Sequence, residues 1–151
     1  MSIALDRIEN PQEMLVRVLG PGDADTLLIL TGTAVFTFKG VGSNVLRDTL
    51  SFEVGPTFDP GQVRGVVATA SLASIFNDGP AIDAGWAVDS VEAFPTGTYS
   101  PGRVRVTAAL AVRDIDGFIF RIAYQVNILA HLGGSPYSSS GSSRAIGEES
   151  L

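Results

Sequence analysis

Nucleophilic catalysis needs a base beside the nucleophile. This chain offers a single histidine, His131, and no cysteine. His131 ends an alternating run on the polar side that also carries Gln125 and Asn127, so its expected place is a surface position at a strand end. No serine elbow, phosphate loop or His/Glu metal motif accompanies it. Asp114-Ile115-Asp116-Gly117 has the opening letters of a calcium loop. A calcium ion needs roughly six to eight oxygens, and no glutamate follows at the required spacing; Asp-Gly in a turn explains the same residues. Asp78, Asp83, Asp89 and Glu92 place carboxylates near one sheet end, but their spacing selects no acid/base pair for glycoside hydrolysis. The expectation is a chain that is not an enzyme, with no cofactor and no metal.

Binding offers better candidates. Arg103, Arg105 and Thr107 share one face of a strand-like run, and Gln125 and Asn127 share one face of the next. If the two runs pair side by side, these residues form one polar patch flanked by Ala109, Ala111 and Ala123. Such guanidinium and amide groups could hold a sugar or a carboxylate, or form the rim of a subunit contact. Phe58 and Tyr99 lie in proline-rich loops and are expected to be exposed, where aromatics often mark contacts. Trp86, the only tryptophan, sits between Ala84 and Val88 and reads as a core anchor rather than a stacking platform.

The elements that must position these residues are strands. Residues 103–131 read RVRVTAALAVRD-IDG-FIFRIAYQVNILAH, two alternating runs joined by a turn. Val104, Val106, Ala108, Leu110 and Val112 share one face, as do Phe118, Phe120, Ile122, Tyr124, Val126 and Ile128. Treated as a hairpin, parity requires a three-residue loop at Ile115–Gly117, with Gly117 at positive φ and Val112 opposite Phe120. Upstream, alternation marks strands over 14–19, 26–39, 46–54, 63–76 and 82–94. Gly32 is expected at a bend or bulge, and a change of phase places a second bulge near Asp89-Ser90. The run from Gly55 to Gly61 suits a crossover between sheets.

No segment keeps a helical apolar period. The expected fold is therefore all-β: a single-domain antiparallel β-sandwich of about seven strands, jelly-roll or Greek-key-like, with a closed barrel as second choice. Residues 1–12 read as an N-terminal arm, 13–132 as the sandwich domain and 133–151 as a flexible Gly/Ser-rich tail.

Composition narrows the partners. With 151 residues the chain can bury one real core. A net charge of −6 argues against nucleic acid, which needs a basic footprint. The opening residues carry acids where a signal peptide would be basic and apolar, and no apolar run approaches a membrane span. The expected location is the cytoplasm or a particle assembled there. Only 17% of residues are charged while 45% are hydrophobic, so some apolar surface should be covered by a partner. The leading expectation is a non-enzymatic structural or assembly subunit forming a homo-oligomer, as in a phage, virion or other protein particle. A carbohydrate- or small-ligand-binding module is the second reading, and a β-barrel enzyme or lipid carrier with an interior pocket the third.

Overall fold

The alternating runs do form strands, and the way they pair differs from the hairpin arrangement. The computed structural model describes residues 2–18, 25–77, 79, 84–114 and 116–132. Its strands in chain order are β1 (Ser2–Ile3), β2 (Leu5–Val18), β3 (Asp25–Lys39), β4 (Leu46–Phe58), β5 (Val63–Asn77), β6 (Gly85–Pro95), β7 (Gly102–Arg113) and β8 (Gly117–His131). They build two four-stranded sheets, sheet A in the order β1-β4-β7-β6 and sheet B in the order β2-β3-β8-β5. All pairings are antiparallel except β1 with β4. Among the described residues there is no helix, and neither sheet closes into a barrel. The expected tail, 133–151, lies outside the described residues.

β7 and β8 are not a hairpin. β7 pairs with β4 and β6, while β8 pairs with β3 and β5, so the link through Asp114 and Asp116 carries the chain from one sheet to the other. The two apolar faces do meet, but across the interior rather than side by side. Val104, Val106, Ala108, Leu110 and Val112 of β7 share one buried cluster with Ile122, Tyr124, Val126 and Ile128 of β8. The physical reason is that alternation specifies which face is buried and says nothing about which strand lies alongside. The turn chemistry changes accordingly. Asp114, not Gly117, takes the left-handed conformation (φ 84°). Its Oδ1 accepts from the Asp116 N–H and its carbonyl from the Gly117 N–H. An aspartate tolerates that region because its short side chain bonds locally. Ile115 lies outside the described residues.

The core follows from the inward positions of four strands. Leu28, Leu30, Ala34, Phe36 and Phe38 from β3 and Leu50, Phe52 and Val54 from β4 are buried with the β7 and β8 residues, and among the described residues no polar or charged one is buried with them. Each large aliphatic side chain removed from water stabilises the fold by about 1.5–3 kcal/mol. The bulge expected in β6 is present, with register slipping between Val88 and Ser90 so that Val91 and Ala93 return to the inner face. Gly32, in contrast, is in register with Tyr124 and makes no bulge. It is glycine because the Tyr124 ring lies over it: a Cβ there would sit 2.5 Å from the phenol oxygen.

Three further expectations change. Residues 5–18 are one edge strand, so the arm expected over 1–12 is mostly paired structure; it was hidden by polar residues and by Pro11, which an edge strand tolerates. Asn10 (φ 50°) sits where the β2 register slips. Phe58 ends β4 fully buried, at 2% exposure, instead of projecting from a loop. The β8 phase shifts at Phe120-Arg121, which buries Ile119 and turns Phe118 and Phe120 outward. Three consecutive apolar residues, Phe118-Ile119-Phe120, gave parity nothing to distinguish.

Gly32→Ala is expected to destabilise the fold by about 1–3 kcal/mol through overpacking against Tyr124. Gly65→Ala, whose added methyl would meet open space, should leave the urea midpoint unchanged. Denaturant titration of both variants measures the difference.

Candidate functional site

The side chains expected to form one polar patch lie on opposite sides of the molecule. Arg103, Arg105 and Thr107 face outward from sheet A, whereas Gln125 and Asn127 face outward from sheet B. The patch rested on β7 and β8 being neighbours, and separating them dissolves it. The sheet A group is tied down by its own neighbours. Arg105 Nη2 donates to Glu53 at 3.2 Å, the Thr107 and Ser51 hydroxyls are 2.9 Å apart, and Arg47 Nε donates to Asp89 at 3.1 Å. This is a solvated, polar sheet face. Of the expected carboxylate group, Asp78 and Asp83 lie outside the described residues, Asp89 is held by Arg47, and Glu92 is exposed on β6.

Tyr99 is almost fully exposed, at 96%. Trp86 is half-buried against the core opposite Val112, and its indole Nε1 has no hydrogen-bond partner among the described residues. His131 lies opposite Asp25 on β3, with Nδ1 2.9 Å from the carboxylate, and Arg64 stands 3.5 Å from the same oxygen. Among the described residues no three His, Cys, Asp or Glu side chains converge as a metal site would require.

The outer face of sheet B has a different character. Three regions follow one another along it. At one end Val16, Leu27 and Leu129 lie alongside Met14, Ile29 and Val67 across the strands, with Met14 and Val67 more than half exposed. A middle band of Gln12, Thr31, Gln125 and Thr69 lines a shallow groove with Thr33 and Ser71. At the other end Phe118 and Phe120 stack at 5.5 Å, Phe76 leans on both, and the Lys39 ammonium sits 5.1 Å over the Phe118 ring. Between band and aromatics, Glu9 accepts from Arg7 Nη2 at 2.8 Å and from Arg121 Nε at 3.1 Å, tying edge strand β2 to β8 across β3.

A cleft of about 620 Å³ opens at the edge of the sandwich, where β2 bends at Asn10-Pro11 and β4 bulges at Gly55-Pro56. Ile8, Leu30 and Val54 provide apolar walls, and Arg103, Tyr124 and Glu53 provide polar groups. Arg103 Nε donates to the Gly55 carbonyl at 2.7 Å, which pins the guanidinium at the mouth. Tyr124, 6% exposed, rests on Phe52 with ring centroids 5.0 Å apart. Burial holds its phenol above the ordinary value of 10, partly offset by the nearby Arg103 charge, so the hydroxyl stays protonated at neutral pH. Tyr124 is legible from sequence only as an inward residue; that its hydroxyl reaches a cleft depends on Gly32 leaving room for it.

No protein family, curated protein or solved structure matches the chain.

The hydrogen bonds from Arg7, and next those from Arg121, hold the Glu9 carboxyl below its ordinary value of 4.5. A carboxyl depressed in the folded state stabilises at pH above its unfolded value, and that contribution is lost as pH falls through the folded value. The strap from β2 to β8 should therefore loosen in acid, below about pH 4.5. Titration of the Glu9 side-chain carbon by NMR should give a midpoint under the ordinary value, and Arg121→Gln should raise it. An ordinary midpoint in the unaltered chain would contradict the strap.

Proposed function

We propose that the chain is a non-enzymatic structural subunit that assembles into a homo-oligomer, as part of a phage, virion or other protein particle built in the cytoplasm, using the outer face of sheet B as its contact. The observation that carries this reading is the difference between the two outer faces. Sheet A presents ion pairs and hydroxyls to solvent, with the exposed Phe94 at its β6 edge beside Arg105. Sheet B presents Met14, Val16, Val67 and Phe76 at 39–66% exposure, with Leu27, Ile29, Leu129, Phe118 and Phe120 beside them. Exposed apolar surface of this extent on a sheet face is characteristic of contact surfaces.

A second copy suits this face because its two carboxylates are already paired within the chain. Glu9 holds Arg7 and Arg121, and Asp25 holds His131 and Arg64. Two such faces can approach with neither carboxylate left unpaired, although the whole chain carries −6. We also propose a jelly-roll topology, which draws support from nested pairing: β3 with β8 encloses β4 with β7 in chain order, as in a long ribbon rolled into two sheets.

A second reading, a module for a small ligand, is favoured by the edge cleft and developed below. Its carbohydrate form is weaker, since the amides of Gln125 and Asn127 are remote from the guanidinium groups of Arg103 and Arg105.

Light scattering on the eluting peak of a sizing column should give the unaltered chain a mass above one subunit. Val67→Glu and Phe76→Ser should each reduce it to the monomer, while Thr49→Lys on sheet A's exposed face should not. A monomer at concentrations of order 1 mM, where even weak contacts of about −4 kcal/mol form, would remove the proposal.

A further inference from the structure

We propose that the edge cleft between β2 and β4 binds the carboxylate of a small acid with an apolar tail. The site does not depend on the assembly reading: none of the apolar residues at the two ends of sheet B's outer face lines the cleft, although Gln12, Thr31 and Tyr124 line both it and the polar groove between those ends. Its volume of about 620 Å³ falls among small-molecule sites, which span about 300–1,000 Å³.

Two donors give the site its selectivity. Tyr124 is more than nine-tenths buried, lines the cleft, and its hydroxyl makes no hydrogen bond among the described residues. The hydroxyl oxygen is reached from the cleft, unlike the enclosed Trp86 Nε1 and Asn77 Oδ1, so it stands as a donor open to an external acceptor. Arg103 supplies the charge. Its Nε is anchored on the Gly55 carbonyl, and its terminal NH2 groups have no carboxylate partner among the described residues. The other carboxylate-facing arginine nearby, Arg105, is taken by Glu53, and that pairing also neutralises the acid at the cleft wall. Glu13 stands at the exposed rim, and Gln12, Thr31 and Thr57 add uncharged polar groups, so Arg103 is the cation among the lining residues.

The wall sets the second half of the specificity. Ile8, Leu30, Val54, Pro11 and Pro56 offer aliphatic surface with no charge of their own. An inorganic anion would leave that surface in water, and an uncharged hydrocarbon would leave Arg103 and Tyr124 unmatched. A carboxylate bearing a chain of several carbons satisfies both, with a charge-assisted bond from Arg103, a phenol bond from Tyr124 and the tail along the wall.

Octanoate is the probe, with octan-1-ol lacking the charge and acetate lacking the tail. Titrated against the full chain and followed by amide and tyrosine NMR signals, octanoate should shift Gly55, Arg103 and Tyr124, and bind at least tenfold more tightly than either control. Arg103→Gln and Tyr124→Phe should each weaken it about tenfold. Tyr124→Phe keeps the ring on Phe52, and unchanged thermal unfolding of each variant shows that the fold is intact. Octan-1-ol binding as well as octanoate, indifference to both substitutions, or no binding of octanoate up to about 10 mM would each overturn the proposal.

Discussion

The sandwich is held by the meeting of two apolar sheet faces, and the rest of the architecture answers to that contact. β7 and β8 each bury every second side chain, yet they do so against one another from different sheets. The interior accepts no polar or charged residue among the described positions, with the Tyr124 phenol reaching only its margin. Because the interior supplies no polar partner, the charged groups lie at the surface, and several of them meet in short pairs that cross strands. Such exposed pairs each add about 0–1 kcal/mol, far less than the burial beneath them. They orient strands that the core already stabilises.

What was legible in the sequence follows from the same physics. Parity located the inward residues of β3, β4 and β7 and the change of phase in β6, since polar and apolar residues alternate there without ambiguity. It could not choose neighbours. A strand with one greasy side can satisfy it beside a partner or beneath one, and Asp116-Gly117 is compatible with either connection. Where apolar residues run consecutively, as in Phe118-Ile119-Phe120, parity had no contrast to read. Phe58 is hidden from sequence for a related reason: its prolines suggest a loop, but the Gly55-Pro56 bulge lets β4 resume and bury the ring.

The site was less legible than the fold. Arg103 stood out by its type, but its role depends on a bulge that aims it at an edge, and Tyr124 looked like one more core aromatic. The apolar outer face of sheet B had a compositional trace, in a chain with few charges and a positive mean hydropathy. Consecutive apolar residues such as Leu27-Leu28-Ile29-Leu30 signal a strand covered on both sides, and β3 is where this surplus is concentrated.

The first strands also act as a stopper. The chain enters alongside β4 in sheet A, crosses at Ala4 and then lies along β3 in sheet B for the length of β2. β2 thereby occupies a row of backbone donors and acceptors that would otherwise stand open beside β3. Peeling away that segment would leave the main body folded around its core but with a vacant ladder, the state from which reciprocal exchange of strands between molecules begins. The same fourteen residues that complete one subunit could, donated to a neighbour, lock two together.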